Sequence, residues 1–542
     1  MPRLSSASAS RASAAPLQSL VFSTTGAPQV LASFPGLNLL DGHADPPDPD
    51  LAAGDGFVVE VVNDAIRVFG TDGSVRATYD STAFFQASSS DLTDPSVVFD
   101  ASSGRWFASI LDAGEGSVRL AVSQSGDPTG PWMVYDHAPG ACADQPTLGV
   151  SPTLVVIGYG GFTLPCRSKS ATYLGGGQFV YNKADLLAGV TGRFTAWDPN
   201  PPLAPVSAVS AEPDPAVALT LTAPFYLELL TYSGVPTDTS SVTETDTTIV
   251  IPDITAPPPA AQKDGTAPID TGDIRIRSGY EDPASGTIWA TANDSCTPPG
   301  DTAVRACLRI IGLHGGKAVY DRNIGWRGGN LFYGRIAADA NGNAVVVHGY
   351  SSASAFPSVG VFDVATNGGL SPSEPIAIGN EAHDDPRFGD YFGAAPDGSG
   401  GVWVVGETGM SVTGSSFDWG TTVAHVAAGP TPPVPPPPPR DTIRPHARAL
   451  SSSGRRGFTA FLRYQASDNS GRTREQVTVY SRGRLLSRIA VPTKATGSGR
   501  SYAVAWHVPT KVAAPVKFCV VALDPSGNAS AKSCAPVAVT SR

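Results

Sequence analysis

The segment Pro386–Gly393, PRFGDYFG, gathers three side chains of different chemistry within five residues: Arg387, Asp390 and Tyr391. A carboxylate can act as acid, base or nucleophile at an acetal carbon. An arginine clamps an anionic group, and a tyrosine stacks on a ring or attacks it. Comparable groups stand at the heads of short apolar runs elsewhere: Asp48, Asp94, Asp144, Asp273 with Arg275, and Tyr333 with Arg335. Drawn into one funnel, these residues would furnish a glycan site. Asp390, Tyr391, Asp94 and Asp273 are then the candidate catalytic groups, and Arg387, Arg275, Tyr333, Asp144 and Asp48 the candidate substrate-binding groups. The competing expectation is architectural, because Asp at a strand start often caps a turn by accepting backbone N–H groups. Recognised enzyme signatures are absent: no G-x-S-x-G, no H-E-x-x-H, no P-loop and no dinucleotide fingerprint after a strand. With no Cys-x-x-Cys and no His at zinc-finger spacing, neither a metal nor another cofactor is expected.

The elements that must position these groups repeat along the chain. Asp94–Phe107, DPSVVFDASSGRWF, reads as an apolar run, a turn on Asp100 and Gly104, and a second strand opened by Trp106. The turn recurs in DPASGTIW (282–289), DGSGGVW (397–403), DANG (339–342) and, more weakly, at Asp55-Gly56. Strand starts fall near Asp48, Asp94, Asp144, Glu212, Asp273, Tyr333 and Asp390, the fourth without such a turn. Their spacing suits blades of four short strands, so residues 17–428 are expected to form an all-β, seven-bladed β-propeller, with six or eight blades as alternatives. One of the runs Leu17–Phe22 and Val30–Phe34 is expected to supply the outer strand of the last blade. Composition agrees: 58 Gly and 49 Pro in 542 residues, with only 16% charged, leave little room for amphipathic helices. The most apolar stretch, Ala216–Leu230, is broken by Thr220, Thr222, Pro224 and Glu228 and reads as a strand pair rather than a membrane span.

Residues 1–16 are small and polar, lack the apolar core of a signal peptide, and are read as disordered. Six cysteines allow fifteen connectivities, and hairpin geometry favours the local one: Cys142–Cys166, Cys296–Cys307 and Cys519–Cys534. Three bridges imply an oxidising compartment, hence a secreted or cell-surface protein. The run GPTPPVPPPPPR (429–440) is a semi-rigid polyproline linker. Beyond it, six alternating runs between Thr459 and Thr540 suit a β-sandwich over 441–542. That part carries 16 Lys and Arg against 4 Asp and Glu, net +12, which leaves −23 for residues 1–440. Such a basic tail suits an anionic surface such as a cell wall, while the acidic larger part would repel nucleic acid.

Several segments carry a family resemblance. DPSVVFDASSGRWF, DQPTLGV (144–150), GGGQFVYNKADLLAG (175–189), TGDIRIRSGY (271–280) and RFGDYFGAAPDGSGGVW (387–403) resemble exported bacterial proteins with sialidase-like propellers, over residues ~40–428. SFDWGTTV (416–423) is similar to the Asp box of that superfamily, except for Val423 in its last position. YQASDNSGRT (464–473), Trp506 and CVVALDPSGNASAKSC (519–534) resemble bacterial immunoglobulin-like or fibronectin-type modules. The resemblance implies a sialidase arginine triad, for which Arg275, Arg335 and Arg387 are available, and a tyrosine nucleophile, Tyr333 or Tyr391. The arginine-isoleucine-proline start of that fold is missing. Two readings follow. One is a monomeric extracellular glycoside hydrolase acting at the channel mouth on a polysaccharide or cell-surface glycan. The other is a non-catalytic propeller for carbohydrate binding or adhesion.

Overall fold

The hairpin turns form as their residues dictate. Asp100 accepts Ser102 N at 3.3 Å and Ser102 Oγ at 2.7 Å, and Gly104 takes φ +61° to let the chain reverse. Asp282 accepts Ala284 N, Asp339 accepts Asn341 N and Asn343 N, and Asp397 accepts Gly400 N and Gly401 N in the same way. The structure, a computed structural model, describes residues 26–429 and 441–540 apart from 191, 201–202, 211–214, 266, 399 and 416–417. The expected disorder of 1–16, the run Leu17–Phe22 and most of the polyproline linker therefore lie outside the described residues.

These turns join short strands into successive antiparallel four-stranded units spanning 50–80, 92–137, 142–200, 207–250, 276–324 and 330–377. A further unit, Gly393–Pro396, Val402–Gly409 and Trp419–Ala427, gains its outer strand from Gln29–Asn38, which pairs antiparallel with Trp419–Ala427. Of the two runs considered for this place, Val30–Phe34 lies in the strand that joins the last sheet. The innermost strands touch in chain order, from Asp50–Gly54 round to Gly393–Pro396 and back to Asp50–Gly54. This closed ring of sheets is a propeller-like, nearly all-β arrangement, in which each sheet keeps only short edges. Glu60 helps to close it: its carboxyl accepts Leu37 N at 3.1 Å and bonds Thr421 Oγ1.

The fourth unit differs from expectation. Its innermost strand is Ser207–Ser210, ahead of the expected start, and Glu212 lies outside the described residues. This strand pairs antiparallel with Val217–Ala223 and parallel with Ile276–Asp282, and so fuses two sheets. Val217–Ala223 and Tyr226–Ser233 form the expected strand pair. Segment 251–275 then crosses the strand heads, with Asp270 N donating to Pro386 O at 2.7 Å and Lys263 N to Ala355 O at 3.1 Å.

Residues 441–540 fold as a three-stranded and a five-stranded sheet over a common core that includes Leu462, Tyr464, Val477, Trp506 and Phe518. This unit contacts the ring through Arg474, which donates to Asp253 Oδ1 at 2.8 Å and to Ile251 O, 4.9 Å from the Phe225 ring centre. Among the described residues, no helix is long and apolar enough to cross a membrane.

The three disulfides are the local pairs, Cys142–Cys166, Cys296–Cys307 and Cys519–Cys534. Cys519 and Cys534 face each other directly across two antiparallel strands. Intact-mass measurement of the purified protein, alkylated with and without reductant, is expected to report three bridges, and peptide mapping these neighbours. Free thiols would contradict the pairing.

Candidate functional site

The heads of the innermost strands meet at one end of the ring. Several enter through a residue in the left-handed region: Asp48 (φ 50°), Asp94 (φ 59°), Gln145 (φ 49°) and Tyr333 (φ 56°). Non-glycine residues hold this strained conformation where their surroundings over-determine it. Here side chains of neighbouring sheets do so. Asp94 N donates to Asn63 Oδ1 at 2.8 Å, and Tyr333 N to Asn293 Oδ1 at 3.0 Å. Asp48 Oδ1 receives Asp390 N at 2.7 Å, and Asp94 Oδ2 receives Gln145 N at 3.1 Å. Each of these carboxylates thus staples one strand head to the next.

Over this rim opens a cavity of about 530 Å³. Asp45, Asp48, Asp94, Asp144, Arg387 and Asp390 line it, against an apolar wall that includes Leu92, Phe162 and the Cys142–Cys166 bridge. Burial, then the nearby Asp144, Asp48 and Asp390 charges, push Asp94 well above the ordinary carboxylate value. Burial and Asp390 lift Asp48 to about 6; burial, Asp385 and Asp48 lift Asp45 to about 7. Burial raises Asp144 too, with Arg275 opposing. Asp390 is ion-paired with the half-exposed Arg387 and, at 3.8 Å, with buried Arg277. The cavity therefore sets carboxyls whose proton affinity burial raises beside an ion-paired carboxylate, which is the material of acid–base chemistry.

Asp48, Asp94, Asp144, Arg387 and Asp390 line this cavity, and the other candidate residues lie outside it. Arg275 reaches it only through Asp144 (3.3 Å), while also holding Gln145 Oε1 and Asp273. Burial favours protonation of Asp273, but Arg277 and Arg275 outweigh it and hold the carboxyl well below its usual value. A carboxylate locked this way is an anchor for arginines, not a proton donor. Tyr333 is 1% exposed, with its OH on Asp270 O at 2.6 Å, and Tyr391 OH donates to Pro95 O at 3.1 Å. Burial pushes both phenols well up, which disfavours the phenolate a nucleophile needs. Arg335 sits deeper in the channel against Asp50 at 3.2 Å, so Arg275, Arg335 and Arg387 do not converge on this cavity. Asp418 accepts Val412 N, Gly414 N and Thr413 Oγ1, which closes the loop ahead of Trp419–Ala427. It links the second and third strands of its sheet, because the outermost strand there is Gln29–Asn38.

Asp45, Arg277 and Glu407 were not singled out from sequence. Arg277 bridges Asp273, Gln145 and Asp390. Glu407 is fully buried, neither oxygen has a hydrogen-bond partner, and burial followed by Asp45 and Asp48 raises it well above its ordinary value. It lies behind Gly389 (φ +111°), where a Cβ would stand 3.0 Å from its Oε2. A lone Glu in the apolar strand VVGETG was its sequence signal. Among the described residues, the carboxylates close enough together to hold a metal ion are Asp441, Asp468 and Asp524 of the C-terminal unit, away from this mouth.

No protein-family model and no curated protein matches the chain. Among solved structures, it is similar to a protein of unknown function from Dyadobacter fermentans, at 11% identity over 74% of this chain and 99% of that one, TM-score 0.40. It is also similar to the Trypanosoma rangeli sialidase, at 9% identity over 91% and 88%, TM-score 0.32. A third similar structure is the Bombyx mori GH32 β-fructofuranosidase, at 10% identity over 83% and 87%, TM-score 0.31.

Proposed function

We propose that this chain is an exported glycoside hydrolase, built as a seven-bladed β-propeller followed by an immunoglobulin-like sandwich. One observation carries the reading: the open cavity lined by Asp94, whose carboxyl burial pushes well above its ordinary value, and by Asp390, which stands in ion pairs with Arg387 and Arg277. Glycoside hydrolysis needs two carboxyl groups in different states flanking the scissile bond. In this reading Asp94 protonates the departing oxygen. Asp390 supplies the negative charge opposite it, as nucleophile or as base for water. Arg387, with half of its side chain in solvent, has donors left for an anionic substituent of the sugar. The three disulfides support an oxidising compartment. The +12 charge of residues 441–542 supports docking of the sandwich on an anionic wall. The test is a panel of neutral and uronate- or sialate-bearing polysaccharides assayed for released reducing ends. Turnover on at least one polymer is expected, and none on any would overturn the hydrolase.

A second reading is a binding propeller without chemistry. Asp48 and Asp94 favour it, since each spends a carboxylate oxygen on a neighbouring backbone N–H as a structural staple would. Retention of a polymer in affinity electrophoresis with no released ends would select it.

A further inference from the structure

The innermost strands converge at their far ends on a second cavity of about 440 Å³, opposite the carboxylate mouth. The two differ in kind. The walls here are apolar, formed by Leu51, Ala53, Val97, Phe99 and Ala395 among others. One cation opens into it, Arg335, which is 8% exposed. One of its five N–H donors reaches Asp50 Oδ2, and its buried Nε–H has no hydrogen-bond partner. Asp50 is heavily engaged, since it also accepts Ser96 Oγ at 3.0 Å, Val97 N at 3.2 Å and Leu51 N at 2.9 Å. The guanidinium that lines the cavity thus keeps N–H donors beyond the one on Asp50, and a ligand's carboxylate can take them. A concave apolar wall of this volume with one convergent polar group is the usual make-up of a small-molecule site. Asp55, exposed at the rim, disfavours a second negative charge on the ligand.

We propose that this far end of the channel is a second binding site for an apolar molecule bearing a single carboxylate, the carboxylate on Arg335 and the apolar body against Leu51, Val97 and Phe99. The site stands apart from the glycan reading, because it shares no lining residue with the carboxylate cavity.

The experiment is isothermal titration of the full chain with 2-naphthoate and, separately, 2-naphthylmethanol, which differ only in the charged group. One-site binding is expected, with the acid about tenfold tighter than the alcohol. Ala395→Trp fills the cavity from a partly exposed position and is expected to abolish binding; Ala101→Trp at the exposed lip is the second blocking variant. Arg335→Gln is expected to bring the acid down to the affinity of the alcohol. Thermal melting of each variant shows whether it is folded, and the blocking variants carry the location if Arg335→Gln melts early. No saturation at millimolar ligand overturns the site. Equal affinities of acid and alcohol overturn the role of Arg335. Binding that survives both tryptophan variants puts the ligand elsewhere. Glycan hydrolysis, assayed on the same variants, bears only on the other mouth and is expected to be unchanged.

Discussion

Asp390→Asn is expected to lower kcat roughly 10³-fold on the polysaccharide the panel identifies, while the melting temperature stays within a few degrees. Asparagine keeps the size of the side chain and loses its charge. The main-chain N–H of residue 390 still donates to Asp48. Arg277 keeps Asp273 at 3.2 Å and Gln145 at the same distance, so it is not stranded. Arg387 has solvent on half its side chain. The usual 3–5 kcal/mol cost of breaking a buried ion pair is therefore largely avoided, and ~1 kcal/mol is a fair expectation. Asp94→Asn separates the roles. If Asp94 is the proton donor, activity of the native protein falls as pH rises through its elevated pKa, and the substitution removes most activity together with that alkaline limb. The contrary result is also specific. An Asp390→Asn protein that melts many degrees lower but keeps its turnover per folded molecule would falsify the catalytic assignment and leave the carboxylate as a staple.

The two ends of the ring explain which aspartates could be read from sequence and which could not. Those in Asp-x-x-x-Gly turns, Asp100 and Asp282, are legible because a turn is local: the acceptor and its N–H partners lie within three residues. The same locality made the strand repeats, the neighbouring disulfides and the sandwich strands visible. The mouth aspartates are not local. Asp48 is defined by Asp390 N, 342 residues away, and Asp94 by Gln145 N, 51 residues away. Their types flagged them, but the partition between cavity, arginine anchor and channel interior depends on ring closure. Tyr391 and Tyr333 looked catalytic beside charged residues, yet their hydroxyls are spent on backbone carbonyls of distant segments, Pro95 O and Asp270 O. Glu407 and Glu60 each sit alone in apolar strands, a pattern that announces a buried carboxyl without saying what it faces.

The protein is expected to be most stable on the acid side of neutrality and to lose stability between about pH 5 and pH 8, the reverse of a fold held by salt-bridged carboxylates. Glu60 is 0% exposed, and its carboxyl is pushed up to about 7 by burial, with Thr421 and Leu37 N opposing. A carboxyl whose folded value lies above its unfolded one contributes stability that is complete below the unfolded value. That stability is lost as pH rises through the folded value. For Glu60 the window runs from about 4.5 to 7, and roughly 3 kcal/mol of stability is lost progressively across it. Asp45 at about 7 and Asp48 at about 6 act in the same direction, as do Glu407 and Asp94. Carboxylates held low, such as Asp273 by Arg277 and Arg275, contribute above their unfolded value and are lost only in stronger acid, so they do not oppose the trend. Glu60 deserves the test because of where it sits. Leu37 lies on the strand Gln29–Asn38 that completes the last sheet, and Thr421 on its partner strand, so a charged Glu60 loads the closure of the ring. Calorimetric melts across that range are expected to show Tm falling toward pH 8, and Glu60→Gln, which keeps an acceptor for Leu37 N, to flatten the slope. A Tm that rises steadily to pH 8, or a slope identical in Glu60→Gln, would mean that Glu60 is ionised in the folded ring at neutral pH.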